Sequence, residues 1–345
     1  KRRFIPTFCF LMFLIPLAIA TFLSIDQEQS LVQLRLFLSY FVIFVSIRTI
    51  FPTLKSKELL TTYYLLLTTI LSFISLYNIL IRHYVSLKDL SFLWVYFGHN
   101  HLSALLIFAI PFCLYFLSIY WKTIKVRILI LAISILLLTS LLFTFSIGAM
   151  IMLAISISVV WFIFNKTVSL GKSFLIVFFI TIIFSLTSLF VFSMTKGIKD
   201  LNFWKNPTTN ITGRFTYWQI AFDNFVQKPF TGSGLDTFRI VNKNSKNFST
   251  YTHNFFIQML SDSGIFGFVT SISLIGAVLW HGYNTIKTTS AKRERLFYLS
   301  LIVGLISSTL LATIDFDWHL PTVFLFFWIF AGILSVRSES KDYAN

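Results

Sequence analysis

The chain has 345 residues, 56% of them hydrophobic and only 12% charged, with 42 phenylalanines. No soluble core of this length disposes of that much apolar surface, so the solvent around most of the chain is lipid. The net charge of +15 does not signal nucleic acid, because the lysines and arginines sit in short loops between apolar runs, the pattern of membrane topology.

Apolar runs of about twenty residues mark candidate spans. In chain order they lie near 5–24, 32–51, 59–80, 102–120, 127–144, 149–164, 173–193, 265–283, 297–314 and 320–336. The first has basic residues before it and no small-residue cleavage site after it, so it reads as a span rather than a removed signal. The run from Ile128 to Phe164 is too long for one crossing and needs a turn near Phe145-Ser146-Ile147-Gly148. Cys9 and Cys113 both lie in apolar runs, which leaves no disulfide or metal framework to read.

With the N-terminus cytoplasmic, 17 of the 28 basic residues fall inside, and the short outer loops carry only Arg35, Arg82 and Lys88. The other basic residues belong to a long segment, 194–262, which the charge rule constrains weakly. The expected fold is therefore an all-α polytopic membrane protein of about ten transmembrane helices, a single domain over 1–345 with both termini cytoplasmic. Its long extracytoplasmic loop carries short amphipathic helices.

That loop holds most of the chemistry. Phe215, Trp218, Phe222 and Phe225 recur at helical spacing, which predicts an amphipathic helix lying in the interface with its aromatic face in lipid. A sharp turn is expected at Gly232-Ser233-Gly234, and a second short helix at 255–262. The loop is basic through Arg214, Lys228 and Arg239 among others, and a positive, aromatic, interface-bound segment suits an anionic lipid-linked substrate.

Several short pieces of sequence carry a resemblance. They are Gly213-Arg214; Pro229-Phe230-Thr231-Gly232-Ser233-Gly234; Thr252-His253-Asn254 with Gly264-Ile265-Phe266-Gly267 after it; and Asp315-Phe316-Asp317-Trp318-His319-Leu320-Pro321. Together with Phe97-Gly98-His99-Asn100-His101 before the Pro111 span, they resemble the O-antigen ligase and O-antigen polymerase superfamily. The resemblance implies transfer of a glycan from a polyprenyl (undecaprenyl) pyrophosphate carrier to a sugar hydroxyl of a glycolipid or of another lipid-linked unit. It implies His253 as the base and Arg214 as the pyrophosphate clamp, with no metal, nucleotide or other cofactor. Members often carry Ser-Arg-Gly at the turn that here reads Ser146-Ile147-Gly148, and Arg82, Lys88 and Arg239 are candidates to replace that arginine. Lys228 and Asn254 complete the expected substrate contacts.

The residue types fit those tasks. Charge growing on a departing pyrophosphate is well met by an arginine fork, and a histidine titrating near neutrality can take a hydroxyl proton. Plainer roles compete. His253 would also serve as the cap of the following helix, and Arg214 as a snorkelling anchor. His99 and His101 fit an interface, and Asp315 and Asp317 a helix end. Two other functions remain open on the sequence. One is a metal-dependent lipid-sugar glycosyltransferase using Asp26 and Glu28, or Asp315 and Asp317. The other is a polysaccharide transporter or flippase without catalysis, although the spans are almost free of charge at their centres.

Overall fold

In hydrocarbon every backbone N–H and C=O must be satisfied within its own segment, so long apolar runs close on themselves as helices. The computed structural model describes residues 4–82, 99–144, 146–164, 207–245 and 248–336. Among the described residues every regular element is helical. The helices are α1 (Ile5–Phe22), α2 (Gln27–Ile50), α3 (Leu54–Arg82), α4 (His99–Ile119), α5 (Ile124–Phe143) and α6 (Ile147–Phe164), then α7 (Pro207–Gln227), α8 (Phe238–Val241), α9 (Phe255–Thr288), α10 (Lys292–Leu311) and α11 (Pro321–Leu334). A 3-10 turn, Asp317–His319, precedes α11. Eight of these helices are long and apolar enough to cross a membrane, and α11 is a shorter apolar helix of 14 residues. The nine expected spans that fall on described residues coincide with helices; the one near 173–193 lies outside them, as does the loop through residue 206.

The chain forms two compact units. One comprises Lys1–Pro52, Leu201–Thr285 and Ala312–Asn345; the other comprises Thr53–Asp200 and Ile286–Leu311. In the second unit α4 and α10 are the inner helices. The Gly304 backbone approaches Phe108 so closely that a Cβ there would lie 2.8 Å from its ring. Buried Phe112 stacks on Phe297 in the same layer.

The first unit is held by aromatic packing. Phe10 of α1 lies 4.4 Å from Trp328 of α11, and Phe37 and Tyr40 of α2 meet Phe324 edge to face. The cluster continues through Phe324 to Trp318 (4.8 Å) and from Trp318 to Phe255 (5.0 Å). Such contacts add about 0.5–1.5 kcal/mol each beyond area burial. They bring the turn before α11 against the start of α9. Outward faces of these helices stay apolar, as at Phe8, Ile15 and Ile19 on α1, where lipid replaces water as the contact.

The expected break between a short helix and a span is present inside α9. Gly264 has φ +67, ψ −167, which no helix contains. A Cβ at this position would sit 2.6 Å from the Phe230 carbonyl carbon, so the sequence needs glycine for both conformation and space.

Candidate active site

The turn after α7 and the break in α9 are built as one unit. Gly232 (φ +66) and Gly234 (φ +112) let the turn fold tightly. The Ser233 and Gly234 amides then donate to the Ser261 and Asp262 carbonyls at 3.1 and 2.9 Å. The Gly264 break leaves those carbonyls without helical partners, so the turn supplies the missing donors. Ile265 N–H donates in return to the Pro229 carbonyl (2.8 Å), and Ile25, between α1 and α2, donates to Ser233 O (2.9 Å). Buried Asn224 of α7 ties the two together through Ser233 Oγ and Ser261 O, both at 3.0 Å.

A relay of hydrogen bonds carries this rigidity to residues 252–254. The Asp262 carboxylate accepts from the Asp236 amide (2.9 Å) and from Gln258 Nε2 (3.0 Å), and Gln258 Oε1 accepts from the Thr252 amide (3.0 Å). Trp218 Nε1 donates to the Thr252 carbonyl at 2.9 Å. The aromatic stripe of α7 is therefore split: Phe215 and Phe222 are exposed, while the Trp218 indole is turned inward to pin the loop. A buried indole N–H seeks an acceptor, which lipid does not offer.

The helix cap is Asn254, not His253. Asn254 Oδ1 accepts from the Phe256 and Ile257 amides (3.0 and 3.1 Å), and Nδ2 donates to the Thr313 carbonyl at 2.8 Å. The side chain expected to touch substrate is thus engaged in capping α9 and in clamping the residues that lead to Asp315. His253 adopts φ +57, a left-handed conformation costing about 1–3 kcal/mol in a non-glycine residue, which persists only when neighbours enforce it.

That conformation aims the imidazole at Asp315. His253 Nδ1 lies 3.4 Å from Asp315 Oδ1, an ion-pair distance without the alignment of a hydrogen bond. The ring stacks on Tyr217 (5.9 Å, 20°) and meets Phe316 edge-on at 4.8 Å. Arg214, on α7, brings Nη2 to 3.9 Å from Asp315 Oδ2. The two expected catalytic residues therefore converge on a third, an aspartate assigned from the sequence only to a helix end. Burial alone would push the Asp315 carboxyl up, but His253, Arg214 and the Phe316 amide outweigh it and hold it below the ordinary carboxylate value. Two residues on, Asp317 is pushed well above its ordinary value by burial first and by the Asp315 charge second. His319 is pushed down to about 4, chiefly by burial.

The other expected site residues are elsewhere or occupied. Asp26 caps α2 through the Gln29 amide (3.1 Å) and pairs with Arg239 Nη2 at 3.4 Å, while Gln29 reaches Asp236. Glu28 is exposed in the first turn of α2, Lys228 closes α7, and His101 is buried in α4. Arg82 ends α3, but its side chain, like Lys88 and the His99 side chain, lies outside the described residues. Among the described residues no three of His, Cys, Asp and Glu gather as metal ligands would.

Fold and site together define a multi-pass helical membrane protein whose polar machinery is collected in one loop and one interhelical turn. The family model of O-antigen ligase matches residues 132–272, so this part of the chain is similar to that family, in agreement with the resemblance seen in the sequence. The match contains Arg214 and His253, whereas Asp315 lies beyond it. No curated protein matches the chain.

Proposed function

We propose that the protein transfers a glycan from a polyprenyl pyrophosphate to a sugar hydroxyl at the extracytoplasmic face of the membrane, with His253 as general base and Arg214 as the pyrophosphate clamp. The observation that carries this reading is the convergence of His253 and Arg214 on the buried Asp315 carboxylate. With a proton on Nδ1 facing Asp315, Nε2 keeps its lone pair for the acceptor hydroxyl, and Asp315 stabilises the imidazolium that forms. The hydroxyl oxygen forms the new bond to the anomeric carbon while its proton passes to His253 Nε2. The bond from the anomeric carbon to the pyrophosphate oxygen breaks, and the electron pair leaves with the pyrophosphate. Arg214, held among the described residues by one long contact and 31% exposed, has N–H groups to turn toward that growing charge. The driving force resides in the leaving group, so no nucleotide is required.

The exposed Phe215, Phe222 and Val226 on α7 suit a helix lying in the interface where a lipid carrier arrives. The basic residues of the inner loops support placing this end outside. Arg239 and Lys228 supply further positive charge for the donor or the membrane surface.

Purified protein in lipid, given polyprenyl-pyrophosphate glycan and separate candidate acceptors, tests the reading. Transfer should occur in EDTA; loss in EDTA with recovery on manganese would replace it with a metal-dependent reaction. Transfer to a glycolipid acceptor identifies a ligase, and joining of two lipid-linked units a polymerase. With Cys9 and Cys113 replaced, a cysteine at Asn244 or Thr250, both exposed, should react with an impermeant thiol reagent in intact cells. Labelling only after lysis would reverse the orientation.

A further inference from the structure

Asp317 is a buried acid beside the site for which this mechanism has no use. It is 1% exposed, and neither carboxyl oxygen has a hydrogen-bond partner among the described residues. We propose that Asp317 is held as an uncharged carboxylic acid, so that Asp315 alone confronts His253 and Arg214 with negative charge.

The argument is geometric. An ionised carboxylate stripped of water needs either a close cation or several donors, and without them it takes up a proton instead. Asp315 has a donor and two basic side chains: the Phe316 amide at 2.8 Å, His253 at 3.4 Å and Arg214 at 3.9 Å. Asp317 has neither among the described residues. The ionisable groups that meet the turn include Arg214 from α7, Tyr251 and His253 from the loop before α9, and Asp315 and His319 on the turn itself. Arg214 is their one fixed cation, and it balances a single carboxylate. His319 offers no second cation: its Nδ1 lies 3.3 Å from the Phe316 carbonyl, which takes the one ring proton, and its Nε2 is shut off from solvent with no acceptor for a second among the described residues.

The consequence for the reaction rests on the reading of His253 as the base. One net negative charge on the pair of aspartates matches one guanidinium, so the imidazole can start neutral and accept a proton. A second carboxylate would favour the imidazolium before substrate arrives, and the base would already be occupied. Asp317 keeps its proton throughout, so the proton balance of transfer is unchanged.

The charge state can be read without activity. The full chain in lipid should show the carbonyl stretch of a protonated carboxylic acid at neutral pH by infrared spectroscopy, and Asp317→Asn should remove part of that band. An unchanged band would overturn the proposal, because Asp317 would then be a carboxylate. If Asp317→Asn does not accumulate, Asp317→Glu replaces it: the band should move to the position of a glutamic acid, and an unmoved band overturns the proposal equally. In turnover, Asp317→Asn should keep more than about a tenth of wild-type rate with an unshifted pH–rate profile. An acid limb displaced downward by about one unit would show that a negative charge had been removed, and would overturn it too. Should His253→Gln remain active, the choice of base would fail while the infrared result still decided Asp317.

Discussion

Two of the polar clusters among the described residues are built differently. In the unit containing α3, α4 and α10, Glu58 receives Arg293 through Nε and Nη2 at 2.8 and 2.7 Å and also the Tyr115 hydroxyl. Beside it, fully buried Lys57 donates to Tyr298 at 2.9 Å, and Tyr298 donates to Glu294 at 3.0 Å. Each charge here meets its opposite or a hydroxyl in short, directed contacts. Around His253 the contacts are long (3.4 and 3.9 Å), an aspartate is unpartnered among the described residues, and a histidine backbone is held in a left-handed conformation. A closed network fastens helices. Slack and strain are what a site keeps when a further group is to join it.

The sharpest way to break this contrast is at the slack cluster. His253→Gln retains hydrogen bonding but cannot take a proton at neutral pH, so transfer should fall about 100- to 10,000-fold in a purified assay while the protein accumulates normally. Retention of most activity would reduce His253 to a structural residue. Asp315→Asn keeps the shape but removes the charge that orients the imidazole; a loss of about 100-fold is expected, mainly in kcat. Arg214→Lys keeps the charge and loses the fork, so about a tenfold loss should remain. Full activity would show that a point charge suffices.

The closed cluster should respond in the opposite way. Glu58→Gln leaves Arg293 without its carboxylate, and thermal unfolding should reveal a loss of about 1–3 kcal/mol, moderated because Arg293 stays 39% exposed. Turnover per folded molecule should stay within about twofold of wild type. A turnover defect as deep as that of Asp315→Asn would erase the distinction between the clusters. The smallest effect concerns pH. Asp315 is held below its ordinary value of 3.8, so its contacts stabilise the fold above that value and lose their contribution as pH falls through the depressed one. The stability difference between wild type and Asp315→Asn should therefore be flat from neutrality to about pH 5 and shrink only in stronger acid.

Much of the scaffold was legible because hydropathy is a local signal. The span boundaries, the helix at Phe215–Phe225, and the short helix followed by a span at Gly264 all follow from runs, periods and glycine. Arg214 and His253 were legible as candidates from residue type and from resemblance. Their common partner was not: Asp315 lies far from both in sequence, and no periodicity announces a pairing made by tertiary packing. Its only signal was an acid placed between two spans of a chain with few acids. The hydrogen-bonding roles of Trp218 and Asn254 were hidden for a related reason. A tryptophan on an aromatic stripe and an asparagine beside a histidine read as lipid contact and substrate contact, until the carbonyls that claim them come into place.

The break at Gly264 also dictates where this chain can change length. The turn at 229–234 and residues 261–265 are matched residue for residue, with Ser233 on Ser261, Gly234 on Asp262 and Ile265 on Pro229. One inserted residue on either side of that seam would slip every pairing and swing the imidazole loop out of register with the span that follows. The stretch around Asn244, exposed and outside the seam, has no such constraint. Variation in loop length between related enzymes should therefore accumulate there, and the distance in residues from Gly232 to Gly264 should vary only through it.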